Sequence, residues 1–286
     1  MKKKINNNNL ILSAALNYKW NDLKIFVKSL RKFSNDRVIL IVKDYLDQET
    51  KNRLKEYNIE TKSFDEEYLK KNFQIKNIKY DIAQRRYSIY YSILTKLKKK
   101  PKKILLSDCR DVVFQSNIFL IKFKYPLNFF LEEEKILNDN RNSRWLLRTV
   151  GNENFNQIKN NFISCSGTTL GNFNEIINYS KLMKKYIELF PYKKPFRHKI
   201  ILKKMDTGYD QGIHNYLIHN EFFKKKKFHD NLSGNICTTA YMKKFRFNKK
   251  NQLINRRNKV FSIIHQYDRC INKNGKMIFK FEKIYD

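Results

Sequence analysis

Cysteine is scarce in this chain and scattered. Cys109, Cys165, Cys237 and Cys270 form no C-x-x-C pair, which argues against a zinc knuckle and gives no support to a disulfide framework in a chain of 286 residues. A reducing interior is the simpler setting. No Gly/Ser-rich linker and no internal repeat breaks the sequence, and the run from Asn6 to Asn9 is its one low-complexity feature. No stretch is apolar for long enough to span a bilayer. The segment Leu10 to Leu16 follows N-terminal lysines as in a signal peptide, but it is short and the asparagine run interrupts it, so it suits a first buried strand better. The expectation is a soluble, cytoplasmic protein, at most peripheral to an anionic membrane surface.

Acidic residues are also few: 27 Asp and Glu against 60 Lys and Arg, for a net charge of +33. Such a field attracts nucleic acid, acidic membrane or phosphorylated substrates. Lysine, asparagine and isoleucine are abundant together, however, as a coding bias towards A and T would produce without any polyanionic partner. The basic residues are spread along the chain, and no recognisable DNA- or RNA-binding motif accompanies them. A basic nucleic-acid-binding α/β protein is therefore the alternative reading, and nucleic acid is not an expected partner. With 41% hydrophobic and 14% aromatic residues, the chain has the composition of a packed globular protein.

What is present is an alternation of short apolar runs and helical periodicities. Leu10 to Ala15 reads as a strand; Leu23, Phe26, Val27, Leu30 and Phe33 recur at helical spacing; Val38 to Val42 reads as a second interior strand. A helix from about Asp47 to Tyr57 and a strand from Glu60 to Phe64 follow. That order predicts an α/β fold with a parallel sheet and right-handed crossovers in the first hundred residues. The best-defined helix is predicted over about Asp81 to Leu97, where Ala83, Tyr87, Tyr90, Leu94 and Leu97 make a core stripe. Arg86 lies at the margin of that stripe. A half-buried arginine needs an anionic partner, either an internal carboxylate or the phosphates of a ligand.

The next strand, Lys103 to Ser107, delivers Asp108, Arg110 and Asp111 at the place where it should end. In open α/β sheets the ligand crevice lies beyond the carboxyl ends of the strands, and one or two carboxylates there hold a hard divalent cation against substrate phosphates. Asp108 and Asp111 suit a metal-assisted site for a diphosphate-linked donor; they equally suit a capped surface turn with Arg110 paired to a neighbour.

Three later stretches carry chemistry. Pro126 to Leu131 reads as a strand and Asn138 to Ser143 as a polar loop. Phe162 to Asn172 reads as an apolar stretch ending in a small-residue loop, in which Ser166, Gly167 and Thr168 offer N–H and hydroxyl groups to a sugar or phosphate. A helix is predicted near Asn174 to Phe190. Another begins near Asp210 and Gln211, placing a carboxylate and an amide at a helix start. His214, four residues on, either orients Asp210 or is a buried hydrogen-bonding histidine. Finally, the strand Val260 to Ile264 ends in His265, which repeats the arrangement at Asp108 and offers a metal ligand or a pyrophosphate donor. Lys243 to Lys250 reads as a solvated basic hairpin, with membrane or nucleic-acid contact as the alternative.

Taken together, Asp108-Cys-Arg-Asp-Val-Val-Phe-Gln115, Ile163-Ser-Cys-Ser-Gly-Thr-Thr-Leu-Gly171, Gly208-Tyr-Asp-Gln-Gly-Ile-His-Asn-Tyr-Leu217 and Ile264-His-Gln-Tyr-Asp-Arg269 resemble a family of glycosyltransferases of the GT-A fold. The likeness runs in the right order over about three quarters of the chain. It implies a single domain with a Rossmann-type mixed sheet flanked by helices, a nucleotide-binding half over about residues 1–115 and an acceptor-binding half over about 116–286. It implies transfer of a sugar from a nucleotide-diphosphate donor to the hydroxyl of a glycan or lipid-linked acceptor, with Mn²⁺ or Mg²⁺ bound by an Asp-x-Asp-like motif. By that resemblance Asp108 faces the ribose or the ion, Asp111 and His265 coordinate the ion, and Asp210 with Gln211 binds or deprotonates the acceptor. Arg86, Arg110, Ser166, Gly167, Thr168 and His214 are the candidate donor-binding residues. The family motif has its carboxylates two apart; here Arg110 holds the second position and Asp111 comes one later. A non-catalytic sugar-binding member of the same fold is a further alternative.

Overall fold

The computed structural model describes residues 5–43, 46–64, 82–190 and 208–269. Its first strand, β1 (Asn6–Ala14), pairs in parallel with β2 (Asp36–Val42) on one side and with β4 (Lys103–Ser107) on the other. Leu10, Ile11 and Leu12 have no exposed surface. A strand covered on both faces needs this unbroken apolar run, and each such side chain contributes about 1.5–3 kcal/mol by leaving water. Helix α1 (Trp20–Phe33) follows β1, with the Asp22 carboxylate accepting from Lys19 N–H at 2.9 Å to satisfy its first turn. Helix α2 (Gln48–Glu56) is capped by Asp47, which accepts from Thr50 N–H at 2.9 Å, and leads into the edge strand β3 (Glu60–Ser63).

Helix α3 (Ile82–Thr95) returns the chain to β4. Tyr87, Tyr90 and Leu94 are buried along it as the periodicity predicts, in one cluster with Leu12, Ile104 and Phe129. The predicted start at Asp81 lies outside the described residues, as do the N-terminal lysines and Cys270. Short β5 (Val112–Phe114) follows, then β6 (Leu127–Lys135), α4 (Asn140–Ile158), β7 (Phe162–Asn172), α5 (Phe173–Leu189), α6 (Tyr209–His219), β8 (Lys226–His229), β9 (Ile236–Thr238) and β10 (Ile263–His265).

The main sheet has the order β3-β2-β1-β4-β7-β6-β8, and a second sheet has the order β5-β10-β9. The early strands are parallel as expected, whereas β7 runs antiparallel to both β4 and β6. The chain winds outward from β1 to β3 and then crosses back to β4. The strand order thus reverses between β1 and β4, which opens a crevice at their carboxyl ends.

Two expectations are corrected. Ser166, Gly167 and Thr168 lie within β7, an eleven-residue strand buried at nearly every position, and not in a loop. Small polar residues read as a turn in isolation, but here they pair with β4, Thr168 opposite Ser107 and Thr169 opposite Leu106. The predicted polar loop at Asn138 to Ser143 contains the start of α4, because the Asp139 carboxylate accepts from Asn142 N–H at 2.7 Å and caps a helix there. No described helix is long and apolar enough to cross a membrane.

Candidate functional site

A cavity of about 320 Å³ opens at the β1/β4 reversal, lined by Ala14 at the end of β1 and by Asp108 and Asp111 just past β4. Arg86, Ser166, Asp210, Gln211 and Glu132 complete much of its wall. Residues more than a hundred positions apart thus converge at one rim of the sheet.

Three metal-ligand groups meet at its edge: Asp108 and Asp111, which line it, and His265, fully buried beside them and outside its lining. His265 ends β10, which pairs with β5 so that His265 lies opposite Val112, one residue after Asp111. Its Nε2 is 3.5 Å from Asp108 Oδ2 and 3.9 Å from Asp111 Oδ1. One ligand atom from each of the three residues lies within 4.8 Å of the others. His265 is fully buried, and neither ring nitrogen has a hydrogen-bond partner among the described residues. An orphaned buried imidazole beside two carboxylates is a costly arrangement that a divalent cation would relieve, so the donor set fits such an ion.

The strand behind these ligands has to be thin. A Cβ on Gly167 would sit 2.5 Å from both Asp108 Oδ2 and His265 Cε1. Glycine stands in mid-strand because two functional side chains press against that backbone. Thr168 is fully buried in β7, and its Oγ1 has no hydrogen-bond partner among the described residues.

Arg86 organises the opposite wall. Its guanidinium donates to Asp108 Oδ1, to Ser166 Oγ at 3.1 Å and to Asp210 Oδ2 at 2.8 Å. Ser166 Oγ donates to the same Asp210 oxygen at 3.0 Å. The anionic partner expected for Arg86 is therefore a pair of internal carboxylates. Burial works against the Asp108 carboxylate, but Arg86 and then His265 more than reverse it and hold the group well below the usual range. Burial raises Asp210, with Arg86 and the Ser166 hydrogen bond opposing. One guanidinium cannot fully compensate two carboxylates. Burial also pushes the Asp111 carboxyl up; His265 opposes, while Asp108 and Asp268 add to the rise. Burial lowers the basicity of the His265 imidazole, yet the close approach of the Asp108 carboxylate and the charge of Asp111 outweigh it and leave the group raised.

Arg110 lies at the rim, half-exposed, with Nη1 2.8 Å from Asp268 Oδ2 and Nη2 3.7 Å from Asp111 Oδ2. Gln211 lines the cavity and donates to Asn142 Oδ1. His214 is elsewhere. It is fully buried on the inner face of α6, its Nδ1 2.7 Å from Tyr179 Oη and its Nε2 3.0 Å from Ser164 Oγ. It neither lines the cavity nor bonds to Asp210; four positions on, it shares the buried face of α6 with Asp210 but sits one turn further along, past the cavity and against Tyr179 and Ser164 in the core.

Glu132 was not among the sequence candidates, although it is almost wholly buried in the cavity wall. Burial raises its carboxyl to about 7, opposed by His265 and Arg269. The signal was there: Glu132 is the first carboxylate after an apolar run, the pattern that singled out Asp108. Gln266, with a left-handed φ of 61°, also lines the cavity and donates from its backbone N–H to Asp111 O at 2.7 Å. Such backbone strain at a site cannot be read from residue types.

No protein-family model matches the sequence, and a search of curated proteins finds no match. Solved structures do. The galactosyltransferase LgtC in complex with donor and acceptor sugar analogs aligns with a TM-score of 0.54 at 13% identity, over 96% of this chain and 93% of that one. An active-site mutant of LgtC aligns with a TM-score of 0.52 at 14% identity, over 90% and 86% of the two chains. At these identities the likeness establishes the fold: a single-domain mixed α/β architecture of the GT-A type.

Proposed function

We propose that this chain is a metal-dependent glycosyltransferase, moving a sugar from a nucleotide-diphosphate donor to a hydroxyl of a glycan or lipid-linked acceptor. The observation that carries the reading is the grouping of Asp108 and Asp111, which line the cavity at the strand-order reversal, with His265 buried beside them. The fold shared with a galactosyltransferase that was captured with donor and acceptor sugar analogs supports it. Residues up to about 115 would hold the donor, and later residues the acceptor.

Asp108, Asp111 and His265 would hold Mn²⁺ or Mg²⁺, which when bound offsets charge on the departing diphosphate. Arg110, at the rim beside Asp111, adds a cation on the same side. Ser166 and Arg86 anchor Asp210 by its Oδ2, leaving Oδ1, which makes no hydrogen bond among the described residues, to receive the proton of the acceptor hydroxyl. Gln211 positions that hydroxyl from the next residue of α6. Gly167 keeps the strand thin enough for the Asp108 and His265 side chains to come together against it.

The test is a thermal-shift screen of UDP-, GDP- and dTDP-sugars with and without Mn²⁺, followed by donor hydrolysis, since a ligand that binds only the folded form raises its melting point. A Mn²⁺-dependent shift with one nucleotide class and turnover lost in Asp210→Asn is expected. Failure of every nucleotide to shift the protein in Mn²⁺ would overturn the reading.

A further inference from the structure

Lysines outnumber arginines more than three to one along the chain, yet among the described residues every cationic chain end lining the cavity is an arginine: Arg86, Arg110, Arg141 and Arg269. A compositional bias would have put lysines there. Arginine offers what lysine lacks, a rigid planar fork that grips a carboxylate or phosphate through two parallel bonds.

Two of the four are committed inside the protein, Arg86 to Asp108 and Asp210 and Arg110 to Asp268. Arg141, in the first turn of α4, and Arg269, closing the turn after β10, are exposed and have no ion pair or side-chain hydrogen bond among the described residues. The carboxylates near them, Asp139 and Glu132, feel their charge but form no ion pair with either. Asp139 spends its oxygens on Asn142 N–H at 2.7 Å and Tyr241 Oη at 2.6 Å. Glu132 is buried deeper in the wall and forms no ion pair with either arginine. Arg141 stands on the same wall as Asn142 and Gln211, in the half of the chain assigned above to the acceptor.

We propose that Arg141 and Arg269 form a subsite for an anionic group, a carboxylate or a phosphate monoester, carried by the acceptor away from its reacting hydroxyl. The inference rests on the glycosyltransferase reading and narrows it to acidic acceptors.

The test uses the full chain with Mn²⁺ and whichever of UDP, GDP or dTDP raises its melting temperature. Galacturonate and glucose 6-phosphate are titrated beside neutral galactose and glucose by calorimetry, with Arg141→Gln, Arg269→Gln and the double variant compared. At least one acidic sugar binds about tenfold more tightly than its neutral counterpart. The double variant loses that preference while its nucleotide affinity and melting temperature are unchanged. Equal binding of acidic and neutral sugars overturns the proposal, as does a preference that survives in the double variant. Weakened nucleotide binding in the double variant would assign the pair to the donor diphosphate instead. A parallel comparison of UDP-glucuronate with UDP-glucose identifies an anion on the transferred sugar, which also overturns the acceptor assignment. If no nucleotide binds in Mn²⁺, the glycosyltransferase reading itself fails and takes this inference with it.

Discussion

Arg86 Nη2 lies 2.8 Å from Asp210 Oδ2, although 124 residues separate the two in sequence. Both are almost wholly buried, and the same guanidinium also reaches Asp108. This contact ties α3, the helix before β4, to α6 in the second half of the chain. A single buried cation thus sets the distance between the metal-ligand side of the cavity and the candidate base.

Arg86→Met should therefore destabilise the fold by about 3–5 kcal/mol, because two carboxylates lose their buried counter-charge. Urea unfolding of the variant measures it. A loss below 1 kcal/mol would mean that the pair is not buried in solution.

Asp111→Ala should abolish Mn²⁺ binding, read as the free-ion signal in electron paramagnetic resonance, and lower donor turnover by at least about a hundredfold. The side chain is not part of the Arg86 network, so the melting temperature should hold. Mn²⁺ binding equal to that of the parent chain would remove Asp111 from the ligand set.

Gly167→Ala tests the packing behind the ligands. The new methyl would lie 2.5 Å from Asp108 Oδ2 and from His265 Cε1, so those side chains must shift or the strand must move. Overpacking of this kind costs about 1–3 kcal/mol. Mn²⁺ affinity should fall more than stability does, and isothermal titration beside thermal unfolding separates the two.

His214 makes a pH prediction away from the cavity. Burial, with smaller effects from His219 and Arg86, lowers its folded-state value from 6.5 to about 3. Below pH 6.5 the unfolded chain takes up a proton that the folded chain refuses until about pH 3. Its contribution to stability is thus complete above pH 6.5 and is lost as the pH falls through that window, at up to about 1.4 kcal/mol per unit. His214→Gln keeps a polar group for Tyr179 or Ser164 and should flatten the stability profile between pH 4 and 6. An unchanged slope would show that His214 titrates normally.

Much of this protein was legible before any coordinates. The β1 and β2 runs, the Tyr87–Tyr90–Leu94 stripe and the carboxylates closing β4 follow from periodicity and strand-end position, because burial on two faces or one stripe leaves a regular mark on residue order. Local signals also placed Asp210 in the first turn of a helix and His265 at a strand end. What they could not supply is partnership. Whether Arg86 meets a phosphate or Asp108 and Asp210, whether Ser166 to Thr168 are a loop or the middle of β7, and whether His214 meets Asp210 or Tyr179 and Ser164 all depend on which strands lie side by side. Antiparallel insertion of β7 between β4 and β6 decided those questions, and it rests on long-range pairing that no short window of sequence encodes. The same pairing brought Glu132, Gln266, Arg141 and Arg269 to the cavity, where only a shared neighbour, and no shared motif, unites them.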